Sequence, residues 1–203
     1  MNFLEYLIKS FGYNEPILSS EISYKNYSKP WINKQLANLC ENGQLIRFEK
    51  GVYYVPKNTL LGPSKLSLQK VIEKKYIANG ESGYYSGASF LNKIGLSTQV
   101  PNIIEIYTNN EPSKVREITV GSVKVRLRKS RIAIDKNNVA VQSFLELMNS
   151  VSPSFFDEER KNITAEFVKK YGVTRSDIKK YAPAFPDKAM RTLIESEMIY
   201  CVT

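Results

Sequence analysis

Apolar positions Phe3, Leu4, Leu7, Ile8 and Phe11 recur at the spacing that lines one face of a helix. Residues 2–11 are therefore expected as an amphipathic helix, with Gly12 as its stop. Pro16 is expected to open a short second helical segment over residues 17–22. The polar run Ser23-Tyr24-Lys25-Asn26-Tyr27 then reads as a turn. Ser28 suits the N-cap of a third helix, and Pro30 is tolerated in its first turn because no intrahelical donor is lost there. On that helix Ile32, Leu36, Leu39 and Cys40 share one face. Pro30, Lys34, Ala37, Asn38 and Glu41 take the other, with Trp31 and Asn33 on its flanks. Asn42-Gly43 ends the helix, since glycine can adopt the left-handed cap. Residues 45–49 and 52–55 are β-prone and meet at Lys50-Gly51, a hairpin with glycine where φ must be positive. Three helices and a hairpin predict a winged helix-turn-helix.

The run from Pro56 to Pro63 breaks this pattern and predicts a boundary, with domains at 1–62 and 63–203. Beyond it, residues 64–77 read as a helix, 80–83 as a loop and 86–94 as a short helix. Residues 103–108, 116–120 and 122–129 read as strands, the last two joined at Gly121-Ser122. The tail is expected to be helical over 139–151, 157–171, 174–181 and 187–199. Thr174 with Asp177 supplies a capping box for the third of these. The expected fold class is α+β: an N-terminal winged helix-turn-helix, then a larger domain with a small sheet and C-terminal helices.

The 203 residues carry a net charge of +9, and its placement matters more than its size. Residues 1–63 hold seven Lys/Arg against five Asp/Glu, residues 64–136 thirteen against six, and residues 137–203 nine against nine. The excess is central, and it favours a polyanionic partner, either nucleic acid or an anionic membrane face. No apolar run has the length of a membrane helix, and Met1–Glu5 does not begin a secretory signal. Cys40 and Cys201 form no metal-ligand spacing or disulfide framework, which points to a reducing cytoplasm.

Duplex DNA is the partner that the first pattern suggests. A helix fits the major groove and presents its N-terminal half to base edges. Asn33 and Asn38 suit adenine, and Lys34 suits guanine or a phosphate. Lys25, Lys29 and Trp31 would meet the backbone where the helix begins, while Arg47, Lys50 and Lys57 lie on or beside the wing. The competing reading is a plain helix and hairpin with a solvated polar face. A second basic patch is expected on the strand "KVRLRKSR", where alternation sends Lys124, Arg126 and Arg128 to one face and Lys129 and Arg131 extend it. An amphipathic strand with a wet basic face is the equal alternative.

Enzymatic readings find little support. The chain has no histidine, no phosphate-cradling glycine loop and no dinucleotide fingerprint. Asp157, Glu158 and Glu159 suit a helix dipole better than a metal, and Tyr84, Tyr85, Phe155 and Phe156 suit packing. No cofactor, metal or catalytic residue is expected.

One passage resembles a known family. "SGASFLNKIGLSTQVP", residues 86–101, is similar to a stretch of the AbiEi-type antitoxins and related regulators of type IV toxin–antitoxin systems, known from abortive phage infection. In that family the stretch follows a winged helix whose wing ends much as "GVYYVP" does at residues 51–56. The resemblance covers residues 1 to about 130 and only loosely the tail. It implies a two-domain antitoxin that binds inverted repeats in its own promoter as autorepressor. The second domain would oppose a nucleotidyltransferase-like toxin without a stable complex. By position it makes Lys25, Lys29, Asn33, Lys34, Arg47 and Lys50 the DNA contacts. Two alternatives stay open: a stand-alone winged-helix regulator on a mobile element, and a protein- or RNA-interaction module.

Overall fold

Asn2 caps the first helix, α1 (Phe3–Phe11). Its Oδ1 accepts from the Glu5 amide at 2.8 Å, and Glu5 Oε2 accepts from the Asn2 amide at 2.9 Å. Two otherwise orphaned donors are thereby satisfied. The computed structural model describes residues 1–60 and 62–202. They form a mixed α+β chain in two compact units, Met1–Lys74 and Lys75–Thr203.

The second helix expected over residues 17–22 is absent. Ile17–Leu18 is instead a short strand, β1, followed by a turn. After it come helix α2 (Lys29–Glu41) and strands β2 (Ile46–Glu49) and β3 (Val52–Tyr54). β1 and β2 flank β3 in an antiparallel sheet, with Ile17 opposite Tyr53 and Leu18 opposite Val52. The physical reason is tertiary. A six-residue segment is too short to nucleate a helix unaided, whereas the edge of β3 offers it backbone partners. The Ser19 amide extends that pairing to the Gly51 carbonyl at 2.9 Å.

The core of this unit joins Phe3 and Leu7 of α1 to Ile17, Ile22, Tyr24, Ile32, Leu36, Leu45 and Val55. The apolar stripe of α2 is as the sequence predicts: Ile32 and Leu36 are buried, and Leu39 and Cys40 pack against the cluster. Gly51 turns the hairpin at φ +80°, where a side chain would be strained.

The expected break contains paired backbone on both sides. β4 (Asn58–Thr59) pairs with β5 (Gly62–Pro63), and the Ser64 amide returns to the Lys57 carbonyl at 2.9 Å. That ladder delays the helix expected from residue 64. It starts only as α3 (Leu68–Ile72) and widens into a π-helical turn at Glu73–Ile77. The compact units accordingly divide after Lys74, later than the composition break suggests.

In the second unit a strand, β6 (Gly83–Ser86), lies between the loop expected at 80–83 and the helix expected at 86–94, and precedes α4 (Gly87–Lys93). β7 (Ile103–Thr108), β8 (Val115–Val120) and β9 (Val123–Lys129) follow. The sheet order is β6-β7-β9-β8; β7 and β9 run parallel, and the other pairs antiparallel. Helices α5 (Val139–Ser150), α6 (Glu158–Tyr171), α7 (Arg175–Tyr181) and α8 (Asp187–Glu195) complete it. Every residue from Val141 to Met148 is buried, because α5 touches β6, α4, α6, α7 and α8. α8 stops earlier than its apolar pattern suggests, before Glu197 at φ +64°. Asp157 caps α6, and Thr174 and Asp177 form the expected capping box.

Among the described residues no helix is long and apolar enough to cross a membrane.

Candidate nucleic-acid interface

Burying Ile32 and Leu36 fixes which way α2 faces. Asn33, Lys34, Ala37 and Asn38 are left exposed as one continuous strip, with Pro30 at its start and Glu41 at its end. The Gln44 and Leu45 amides both return to the Leu39 carbonyl, at 3.0 and 3.1 Å, so the chain leaves α2 directly into β2. Arg47 and Lys50 are exposed on the hairpin that follows. A register shift between Arg47 and Glu49 bends the ribbon there. Lys57 is exposed beyond the hairpin, its amide held by Ser64 Oγ at 2.9 Å.

The approach to α2 differs from the expectation at two residues. Lys29 is exposed but committed, its Nζ donating to the Ser20 carbonyl at 3.1 Å and the Ser19 carbonyl at 3.5 Å. It tethers the turn after β1 to the start of α2. Trp31 belongs to an aromatic cluster: its ring stacks on Tyr27 at 3.9 Å, with Tyr24 and Phe3 at 5.9 and 5.6 Å. Lys25 sits at the same place, at φ +44°, with its ammonium 5.1 Å from the Tyr24 ring. Sequence spacing could not reveal this cluster, since Phe3 and Tyr24 come from separate elements.

The second basic patch has the predicted alternation, with Val125 and Leu127 buried. Its charge, however, is largely spent. Arg126 donates to Glu117 Oε1 at 2.7 and 2.9 Å and to Glu105 Oε1 at 3.4 Å. Arg128 meets the other Glu105 oxygen at 3.3 Å. Glu105 and Glu117 lie opposite Arg126 on its two neighbouring strands. Arg131 turns away to Glu146 at 3.4 Å and over the rings of Tyr107 and Phe185. Lys124 and Lys129 are exposed. A one-strand reading could not see carboxylates supplied by the strands on either side.

The sequence reading also missed a buried polar group around α5. Glu146 accepts from the Tyr107 hydroxyl at 3.3 Å and from Asn149 at 3.2 Å, and Tyr84 stacks on Tyr107 at 5.4 Å. Burial, then the Glu146 charge, pushes both phenols up, Tyr84 strongly.

The first part of the "GLSTQVP" segment is held by hydrogen bonds to α4. Asn92 Nδ2 donates to the Ser97 and Gln99 carbonyls at 3.2 and 3.1 Å, and the Leu96 amide returns to Leu91 at 2.8 Å. Gly95–Gln99 then lines a polar cleft of about 340 Å³ with Glu159, Arg160 and Ile163 of α6. Arg160 is already engaged by Asp157 and by the Phe155 carbonyl, both at 3.0 Å.

A family model described as "Family of unknown function (DUF6088)" matches residues 13–170, which run from β1 through most of α6. The chain belongs to this family. Its match takes in α2, the hairpin, the sheet and the "GLSTQVP" segment together. No curated protein matches the chain.

Proposed function

We propose that the first unit is a winged-helix DNA-binding domain and that the chain is the antitoxin and autorepressor of a type IV toxin–antitoxin system. The observation that carries the DNA reading is the exposed strip Asn33, Lys34, Ala37, Asn38, followed after the helix stop by a hairpin that exposes Arg47 and Lys50. A helix of this width suits the major groove, and amide and ammonium groups on it suit base edges. The hairpin would add Arg47 and Lys50 to the flanking backbone. In this reading the segment before α2 is a tethered turn, and β1 serves as the third strand of the wing sheet.

The antitoxin half rests on the "GLSTQVP" resemblance and its order after the wing. In this reading the protein works in the cytoplasm and opposes a nucleotidyltransferase-like toxin without a stable complex. The non-enzymatic reading belongs to the same proposal. A stand-alone regulator would share the DNA site and lack the toxin, and a protein- or RNA-binding module would lack the operator.

The test is binding of the purified chain to a duplex from its own upstream region and to a scrambled duplex, at two salt concentrations. The reading expects a preference of about a thousandfold or more, lost in Lys34→Ala. Equal, strongly salt-dependent binding to both duplexes would remove the recognition-helix assignment. With the operator established, rescue of growth from the neighbouring toxin separates an antitoxin from a stand-alone regulator.

A further inference from the structure

The Tyr27 and Trp31 rings lie 3.9 Å apart and 13° from parallel. Tyr24 is 5.8 Å from Tyr27 and 5.9 Å from Trp31, nearly parallel to both. Equal distances place Tyr24 beside the stacked pair; on top of either ring it would be much farther from the other. Phe3 meets Trp31 edge-on at 5.6 Å. The ladder is thus anchored in the core at one end, where Phe3 and Tyr24 are 7% and 6% exposed. At the other end Tyr27 is 47% exposed and stacked on Trp31.

A half-exposed aromatic ring already stacked on a second ring can take a further planar group. The charge around it says what kind of group that is. Residues 22–40 contain Lys25, Lys29 and Lys34 and not one Asp or Glu. Lys25 and Lys34 are exposed, and Lys34 lies one helical turn beyond Trp31. An apolar protein partner would need no cations here, whereas a base on a phosphate backbone needs both features. A paired base inside a duplex offers no free face to such a ring; an unpaired one does.

We propose that Tyr27 is a stacking platform for an unpaired nucleobase, with Lys25 and Lys34 on the adjoining phosphates. The site lies beside the proposed duplex-reading strip and goes beyond it: it would let the same unit hold a strand end, a bulge or an opened step. It rests on the nucleic-acid reading only through the shared cations.

Trp31 is the only tryptophan in the chain, so its emission reports directly on this ladder. Titration with a short oligothymidylate should quench it, and inorganic polyphosphate, which offers charge without bases, should not. An oligouridylate arm separates DNA from RNA preference within the same chemistry. Affinity for the labelled oligothymidylate, read by anisotropy, should fall about tenfold in Tyr27→Ala and stay near wild type in Tyr27→Phe. Quenching by polyphosphate equal to that by oligothymidylate, or unchanged affinity in Tyr27→Ala, would overturn the inference. Operator-duplex binding in the same variant keeps the two readings apart. A wild type that binds no operator, with oligothymidylate binding still lost in Tyr27→Ala, sinks the duplex reading and leaves the platform standing.

Discussion

Arg126 grips Glu117 through two donors, Nε at 2.9 Å and Nη2 at 2.7 Å, both to one carboxylate oxygen. Glu105 approaches from the other neighbouring strand, and the guanidinium stays more firmly protonated chiefly through the Glu117 hydrogen bond. Arg126, expected on the exposed basic face of the strand, thus has each of its three nitrogens engaged by a carboxylate. Exposed ion pairs of this kind add little stability, but they do set what the face can bind.

Neutralising both carboxylates should release the patch. The double variant Glu105→Gln with Glu117→Gln is expected to bind scrambled duplex more tightly than wild type. Its log-affinity should also fall more steeply with log salt, by about one to two in slope, as one or two further phosphates are engaged. Fluorescence anisotropy over a salt series measures both. An unchanged slope would mean that this face does not meet nucleic acid even when its arginines are freed.

Lys50 and Asn33 are expected to fail in different ways. A cation at the hairpin tip can contact phosphate but cannot distinguish bases. Lys50→Ala should thus weaken operator and scrambled duplex equally and reduce the salt slope by about one. Asn33→Ala should leave the scrambled affinity alone and cost the operator about 1–3 kcal/mol. If the two variants behave alike, the division of labour between helix and hairpin is wrong.

Elements with strong local signals were legible in the sequence, and elements decided by distant partners were not. The stripe Ile32, Leu36, Leu39, Cys40 located α2 and its exposed face, and Thr174 with Asp177 located the start of α7. Residues 17–22 look helical by local propensity and become strand and turn only because β3 needs an edge partner. Gly83 begins β6 although the surrounding Gly-Glu-Ser-Gly reads as loop, since the pairing that makes it a strand comes from Thr108. The candidate site divides in the same way. Exposure of Asn33, Lys34 and Asn38 follows from periodicity, whereas the tether of Lys29, the ladder at Trp31 and the carboxylates on Arg126 all come from other elements.

Gly83 is a test of that pairing. A β-carbon built there would lie 2.1 Å from the Tyr76 carbonyl oxygen and 2.8 Å from the Tyr107 carbonyl oxygen. Both are backbone atoms, so no side-chain rotation relieves the overlap. Gly83→Ala should destabilise the second unit by about 3 kcal/mol or more, at the upper end of overpacking costs. Urea unfolding of the variant checks this, and a loss under about 1 kcal/mol would show that the strand can shift aside.

Tyr84 offers the opposite outcome. Its side chain is 3% exposed, and among the described residues its hydroxyl has no hydrogen-bond partner within the protein. Burial, then the Glu146 charge, raises its pKa well above the ordinary tyrosine value. The phenol is thus harder to ionise folded than unfolded, and the unfolded chain gives up this proton first as pH rises. The stability tied to that proton is complete below about pH 10, the unfolded value, and is lost as pH climbs towards the folded value. Tyr84→Phe keeps the ring on Tyr107 and removes both the unmatched hydroxyl and the titration. At neutral pH it should be neutral or stabilising by up to about 1 kcal/mol. Above about pH 10 its advantage over wild type should widen, because only the wild type still loses stability through this group. Urea unfolding at neutral and alkaline pH measures the difference. A neutral-pH loss of about 2 kcal/mol or more would mean that the hydroxyl is satisfied in the folded protein.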